Sequence, residues 1–305
     1  MKQPRDDKIN PFLRCPSCGS SKFYSKGYAP NKKRKYKCHD CGKWASYDNN
    51  GEKRRVVVIS DLHCGHVTGL TPEKYNVGSD VHAQYCEETW QWYCRVIDSL
   101  QPINVLIVNG DAIDGRQEKN GGNELLTGDR IKQVQMACDI IERAKPQQIY
   151  MTYGTPYHTG KDENFEDLVA NYFHATIQNN LRLSVNGCLF DVRHKIGRSN
   201  IPHGRYTSLA RTSMWADLMR EDREKPAVII RSHVHYFSSV MHSANRIALT
   251  TPALQGFSSY GAKECEGNVD FGLVVFEIGE FGTVDLFKPY IAKIETDIEP
   301  ILKSK

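Results

Sequence analysis

The chain has 305 residues, of which 40% are apolar and 25% charged, with a formal net charge of +4. These proportions are those of a globular protein with a sizeable core. No apolar run approaches the roughly 18–20 residues that a bilayer requires, and the first residues, MKQPRDDKIN, carry no apolar signal region; neither a membrane span nor an export signal is expected, and the expected location is cytoplasmic, or the host cytoplasm if the chain is phage-encoded.

The net charge conceals an asymmetry. Residues 1–55 hold fifteen Lys/Arg against five Asp/Glu, whereas the remaining residues hold twenty-five against thirty-one. Within the basic segment, Cys15-Pro16-Ser17-Cys18 and Cys38-His39-Asp40-Cys41 form two C-x2-C pairs separated by nineteen residues. Each pair is followed by a glycine, Gly19 and Gly42, which permits the tight turn that wraps thiolates around an ion. Four cysteines so spaced, in a chain without an export signal, predict one structural Zn2+ in a four-cysteine site rather than disulfides. Cys64, Cys86, Cys94, Cys138, Cys188 and Cys265 are scattered and read as buried free thiols.

Between the two pairs lies Asn31-Lys32-Lys33-Arg34-Lys35-Tyr36-Lys37, a candidate basic hairpin, with Phe23, Tyr24, Tyr28, Trp44 and Tyr47 nearby. Lysines suit phosphates and aromatics suit unpaired bases, although some of these rings must fill the core of so small a unit. The segment 10–48 is thus expected to be a small domain with nucleic acid as its partner, DNA before RNA. Residues 49–54 read as a polar linker, and residues 55–297 as the main domain.

Val56–Ile59 is the first buried strand of that domain, followed by a helix over 80–100, a strand at 105–108, a helix over 125–144 and a strand at 148–153. Next come a helix over 163–178, a strand at 189–193, a helix over 205–220 and a strand at 227–230. Beyond His235 the pattern turns to short alternating segments at 246–250, 271–278 and 283–289, which suggest a second, mostly antiparallel sheet. Two packed sheets flanked by helices follow from this order.

Four short motifs hold chemistry: Asp61-Leu62-His63, Gly110-Asp111-Ala112-Ile113-Asp114, Gly154-Thr155-Pro156-Tyr157-His158 and His233-Val234-His235. Three directly follow an apolar run. Residues i and i+2 of an extended chain share a face, so Asp61 with His63, and His233 with His235, are each expected to reach one cation. Asp111 has two carboxylate oxygens and is suited to bridging two ions. Mixed Asp and His donors suit Mn2+, with Fe2+ or Zn2+ as alternatives, rather than Ca2+. A pair of such ions clamps a phosphate and acidifies the water that attacks phosphorus in line.

The ordered set Asp-x-His, Gly-Asp-x-x-Asp, Gly-…-His, a single His after a strand and His-x-His resembles the calcineurin-like metallophosphoesterase superfamily. The resemblance covers residues 55 to 290. The four-cysteine segment resembles the zinc ribbons of transposases and transcription factors. The fold so implied is of the α/β (α+β) class: a four-layered αββα metallophosphoesterase sandwich with a small N-terminal zinc-ribbon domain. By the same resemblance, Asp61, His63 and His235 hold the first metal, Asp111 bridges, and His194 and His233 hold the second. Two departures stand out. The family's Gly-Asn-His is here Gly154-Thr155-Pro156-Tyr157-His158, which leaves His158 as either general acid or metal ligand. The usual glycine before the last motif is Ser232. Asp114 reads either as a carboxylate that orients a ligand histidine or as a turn residue. Arg198, His203 and Arg205 are phosphate-binding candidates or a solvated loop, and His66, His82, His174 and His242 read as ordinary. The expected activity is that of a nuclease or phosphodiesterase, with a phosphomonoesterase that uses the ribbon for docking as the alternative.

Overall fold

The computed structural model describes residues 15, 17–18, 20, 22–28, 34–46, 53–160, 163–197, 199, 201–218, 225–241, 246–258, 269–280 and 282–294. Gly19, Lys32, Lys33, Tyr47, Arg198, His242, Cys265 and most of the 49–54 linker lie outside them.

Near the N-terminus, β1 (Phe23–Tyr28), β2 (Arg34–Cys38) and β3 (Trp44–Ser46) form an antiparallel three-stranded sheet in the order β1-β2-β3. Its core is made of Cys15, Phe23, Tyr36 and Cys38, with the Phe23 and Tyr36 rings edge to face at 6.1 Å.

The larger part runs β4 (Arg54–Ile59), α1 (Val81–Ser99), β5 (Val105–Asn109), α2 (Arg130–Ala144), β6 (Gln148–Thr152), α3 (Pro156–Thr159), α4 (Glu166–Tyr172) and β7 (Thr176–Gln178). It continues with β8 (Leu181–Val185), β9 (Cys188–Val192), α5 (Gly204–Leu218), β10 (Val228–Arg231), β11 (Ser238–Met241), β12 (Ile247–Thr250), β13 (Gly272–Ile278) and β14 (Val284–Ile291). β4 to β7 pair in parallel through helical crossovers, and β13 and β14 extend that sheet antiparallel in the order β14-β13-β4-β5-β6-β7. The second sheet has the order β11-β12-β10-β9-β8 and is mixed, because β10 pairs in parallel with both β9 and β12.

Strand alternation builds the layers. Val56, Val58, Val105, Ile107, Val274 and Phe276 point inward and meet Leu181, Phe190, Val228, Ile230 and Leu249 of the other sheet. Val57, Ile59, Leu106, Val108 and Val275 point outward and meet Tyr93, Ile97, Ala137 and Ile141 of α1 and α2. On the far side, Ile229 and Ala248 carry Leu209 and Ala216 of α5. The result is an αββα sandwich. Each central strand is buried on both faces, which is why it reads as an unbroken apolar run.

The structure corrects three expectations. The helix anticipated over 163–178 ends at Tyr172, and Thr176–Gln178 pairs with β6 as an edge strand instead. The segments beyond His235 do not make one sheet of their own: β11 and β12 join β10, whereas β13 and β14 join β4. β4 begins at Arg54, inside the expected linker. Cys64, Cys86, Cys138 and Cys188 are buried, as expected of free thiols, whereas Cys94 is only half-buried. Among the described residues no helix is long and apolar enough to cross a membrane.

Candidate metal centre

All the candidate ligands of the main domain lie just beyond the carboxyl ends of parallel strands, where open α/β sheets form their crevices. Asp61 and His63 follow β4, Asp111 follows β5, His158 follows β6, His194 follows β9, and His233 and His235 follow β10. Their ligand atoms form three overlapping groups, each within 4.8 Å: Asp61 with His63 and His235, His63 with Asp111 and His158, and Asp111 with His194 and His233. Asp111 lies in two groups, with His63 and His158 in one and with His194 and His233 in the other, and is absent from the group of Asp61, His63 and His235.

The backbone brings them together by a route that the sequence did not suggest. Asp61, His63, Asp111, His233 and His235 all have positive φ, between 45° and 74°. They are five of the nine non-glycine residues with positive φ among those described. Asp61 and His63 therefore converge through left-handed turns and not through strand alternation, whereas His233 and His235, expected to reach one cation, divide between two ligand groups. Non-glycine residues in this region cost on the order of 1–3 kcal/mol each and persist where the surroundings over-determine them.

Two glycines are fixed by close approach. A Cβ on Gly110, whose φ is +77°, would stand 2.5 Å from His194 Nδ1, and one on Gly154 would stand 2.2 Å from Asp111 Oδ1.

The side chains facing the centre are buried and oriented. His194 Nδ1 lies 2.8 Å from the Asn109 carbonyl oxygen, which turns Nε2 toward the carboxylates. His63 Nδ1 lies 2.8 Å from Asp114 Oδ1, and His158 Nδ1 lies 3.0 Å from the Asp114 carbonyl oxygen. Gln117 donates to Asp114 Oδ2 at 2.6 Å. Asp114 is thus the orienting carboxylate and not a mere turn residue. Such partners fix the ring orientation of a metal-ligating histidine.

These residues fit a pair of divalent cations. Asp61 Oδ1, His63 Nε2 and His194 Nε2 are buried and meet no partner in hydrogen-bonding geometry. Even so, His194 Nε2 stands 2.9 Å from Asp111 Oδ2, and His235 Nε2 stands 3.3 Å from Asp61 Oδ1. Ligand atoms about 3 Å apart are what a cation with bonds of about 2.1 Å requires around itself. Charge agrees in part, since the Asp111 and Asp61 carboxylates outweigh burial and raise His194 to about 10, so that a cation there would have to displace its proton. Burial pushes the Asp61 carboxyl up, but the neighbouring His194 and His235 outweigh it and hold it at about 2. Burial and the adjacent His194 lower His233 to about 4, and burial and His158 lower His63 to about 4, so both imidazoles are neutral and ready to donate lone pairs at pH 7.

Several contributors have no motif to announce them. Glu166, fully buried at the start of α4, accepts the backbone N–H of Ala112 at 2.9 Å and of Gly154 at 2.7 Å, tying the second motif to the third. Thr155, in the place of the family's Asn, donates its backbone N–H to Asp111 Oδ1 at 2.6 Å, and its hydroxyl lies 3.1 Å from the same oxygen. Ser232, in place of the usual glycine, joins a buried polar seam. Asn109 donates to its hydroxyl at 2.5 Å, and that hydroxyl lies 2.6 Å from Thr251 Oγ1, which in turn lies 2.7 Å from Ser60 Oγ. The seam links the ends of β4, β5, β10 and β12. Its only trace in the sequence is a polar residue at or just past the end of each strand.

The centre opens into a cleft of about 770 Å³. Lys119, Arg193, Lys195, Tyr153, Tyr157, Asn179 and Asn180 line it beside the metal-site residues. His203 and Arg205 do not line it; the Arg205 guanidinium lies over the Tyr236 ring at 4.4 Å. The anion-facing cations flank His194 instead. His66, which reads as ordinary, is buried in the cleft wall with Nδ1 3.0 Å from the Thr68 hydroxyl.

In the N-terminal sheet, Cys15, Cys18, Cys38 and Cys41 bring their sulfurs within 4.8 Å of one another. The Cys15–Cys41 and Cys18–Cys38 separations are 3.6 and 3.5 Å. A tetrahedral ion with Zn–S bonds of about 2.3 Å spaces its sulfurs by about 3.8 Å, so the cluster fits one zinc.

No family model and no curated protein matches this sequence. Solved structures do resemble its fold. A novel archaeal phosphodiesterase is 9% identical, covers 78% of this chain and 99% of its own, and has a TM-score of 0.42. Wild-type Vps29 from Entamoeba histolytica, complexed with Zn2+, is 13% identical over 78% of this chain and 98% of its own, with a TM-score of 0.37. The purple acid phosphatase PPD1 from yellow lupin seeds is 13% identical over 80% of this chain and 54% of its own, also with a TM-score of 0.37. The chemistry of this chain is read from its own side chains.

Proposed function

We propose that this chain is a metal-dependent phosphoesterase whose substrate is a phosphodiester of nucleic acid. The observation that carries the reading is the pair of ligand groups, Asp61–His63–His235 and Asp111–His194–His233, set side by side at the strand ends and linked by a third, His63–Asp111–His158. In this reading the first group would hold one divalent cation and the second another, with Asp111 serving the second and, through its nearness to His63, available to the first. The donor mix favours Mn2+, with Fe2+ or Zn2+ as alternatives. Such a pair, when bound, supplies Lewis-acid activation of phosphate and water.

The remaining steps belong to the protein. Lys195, Arg193 and Lys119 draw the phosphate into the cleft. Thr155 and the close approach of Gly154 fix the Asp111 carboxylate, and Glu166 fixes the loop behind it. Asp114 anchors His158 through Nδ1, which leaves Nε2 to give a proton to the departing oxygen. Burial lowers the His158 imidazole, but the charges of Asp111 and Asp114 outweigh this and raise it to about 9, so it carries a proton at neutral pH. The general-acid role is the one proposed; the grouping of His158 with His63 and Asp111 supplies the alternative, a ligand role. The preference for nucleic acid rests on the basic four-cysteine segment and on the open, cationic cleft.

The test is hydrolysis by the full chain, with Mn2+ added stepwise, of bis-p-nitrophenyl phosphate, p-nitrophenyl phosphate and labelled single- and double-stranded DNA and RNA. The expected result is Mn2+-dependent cleavage of the diester and of at least one polymer, abolished in Asp111→Ala. Hydrolysis of the monoester with every polymer intact would replace this reading with a phosphomonoesterase.

A further inference from the structure

The three-stranded sheet sorts its aromatic residues onto two faces. Phe23 pairs with Cys38, and Tyr36 with Ala45. Phe23 and Tyr36 are buried with Cys15 and Cys38 and make the small core. One residue along, the register changes face. Tyr24 pairs with Lys37, and Lys37 pairs with Trp44, so the three side chains form one row across β1, β2 and β3. Tyr24 is 50% exposed and Trp44 56% exposed, and Lys37 and Lys35, two residues apart on β2, are exposed beside them. Two aromatics so open to water on a sheet this small are not needed for its core, which the other face already supplies.

We propose that this row is a binding face for single-stranded nucleic acid, with Tyr24 and Trp44 stacking on bases and Lys37 between them neutralising the intervening phosphate. Strands lie about 4.8 Å apart, so the two rings stand roughly 10 Å apart, with the lysine midway. Stacking needs bases free of a duplex, and every base offers a π-face. A duplex would engage the lysines but leave both rings unused. The charge agrees with a polyanion, since residues 10–48 carry nine Lys/Arg against two Asp/Glu. The His39 ring, tilted by 33° over Tyr24 at 5.1 Å, extends the aromatic surface beyond the strand end.

For its purpose this inference rests on the nucleic-acid reading of the metal centre, but its test reads binding and not hydrolysis. Full-length chains carrying Asp111→Asn, which removes strand cleavage from the readout, are titrated against fluorescein-labelled dT20, rU20 and a 20-base-pair DNA duplex while anisotropy is followed. Bound zinc is measured for each chain, to establish that the four-cysteine segment is intact. Base stacking contributes on the order of 1–3 kcal/mol per base, so Tyr24→Ala and Trp44→Ala should each weaken single-strand binding by roughly 5- to 150-fold, with the salt dependence unchanged. Trp44→Phe should retain most of the affinity, and Trp44→Leu, which keeps the apolar bulk without the π-face, should not. Lys37→Gln should flatten the dependence of log affinity on log salt by about 0.7. Single-strand binding unaffected in the zinc-loaded Tyr24→Ala and Trp44→Leu chains would overturn the proposal. Equal binding of the duplex with equal losses would do so too, as would capture of acidic polypeptides in preference to either oligonucleotide. If the oligonucleotides bind as described while no polymer is cleaved by the Asp111-intact chain, the binding face stands and the nuclease reading falls.

Discussion

His63 Nδ1 and Asp114 Oδ1 lie 2.8 Å apart, both fully enclosed, and the same carboxylate oxygen lies 3.3 Å from His158 Nδ1. One carboxylate thus governs two histidines with different tasks in the proposed mechanism. Asp114→Asn keeps the volume and one acceptor but removes the charge that orients both rings. Loss of such a partner costs roughly 10- to 100-fold in metal affinity or activity. The expected outcome is a rise of that size in the Mn2+ concentration giving half-maximal diester hydrolysis. An unchanged Mn2+ dependence would show that Asp114 supports the fold alone.

The two roles weighed for His158 separate by leaving group. As general acid, it matters most when the departing oxygen is basic and little when it is p-nitrophenolate. His158→Ala should therefore depress cleavage of a nucleic-acid strand by about 10²–10⁴-fold and hydrolysis of bis-p-nitrophenyl phosphate far less, with two equivalents of metal still bound. Equal losses on both substrates, together with a fall in bound metal, would make it a ligand.

The main features of the centre are legible in the sequence because chemistry and topology coincide there. Strands buried on both faces write themselves as apolar runs, and Asp61, Asp111 and His233 stand just past such runs. Other parts leave no local mark. Glu166 reads as any acidic residue at a helix start; its role arises only when α4 brings it against the N–H groups of Ala112 and Gly154. Thr176–Gln178 follows a helical pattern closely enough to be merged with it, and only pairing with β6 makes it a strand. The alternating segments at β11 to β14 are recognisable as strands, but their division between two sheets is decided by long-range partners. The convergence of Asp61 with His63 was expected for the wrong geometric reason, because left-handed backbone at both residues, and not extended chain, aims them together.

Glu166 also gives a pH dependence with a definite sign. Burial first, and then the nearby charge of Asp111, raise its carboxyl from 4.5 to about 7. The folded chain therefore keeps a proton that the unfolded chain releases between pH 4.5 and 7. The stability that this group contributes is complete below 4.5 and is lost as pH rises through 7. Glu166→Gln cannot titrate, and its amide offers one acceptor where two N–H groups require two. It should lose about 1–3 kcal/mol at low pH, and the gap to wild type should narrow as pH rises. Urea midpoints of both proteins at pH 5 and 7.5, without added divalent cations, test this. The buried histidines titrate in both chains, so the difference isolates Glu166, and a gap independent of pH would refute the assignment.

The approach of the third motif to the second is tight enough to be tested with a single carbon atom. A Cβ at Gly154 would meet Asp111 Oδ1 at 2.2 Å and the Asp111 backbone nitrogen at 2.3 Å, and neither is the free end of a flexible chain. Gly154→Ala must therefore displace either the 153–155 loop or Asp111 itself, and both movements break the Thr155 N–H bond to that carboxylate. Near-complete loss of diester hydrolysis follows, because a displacement near 1 Å at a catalytic group costs on the order of 10²-fold. Gly187, by contrast, faces open space and lies on the hairpin between β8 and β9. Gly187→Ala adds the same methyl, and at a positive φ that Gly154 lacks, so although its backbone is the more strained of the two it should leave hydrolysis near wild type. If Gly154→Ala hydrolyses the diester as well as Gly187→Ala does, the Asp111 carboxylate is not held where the proposed two-metal site needs it.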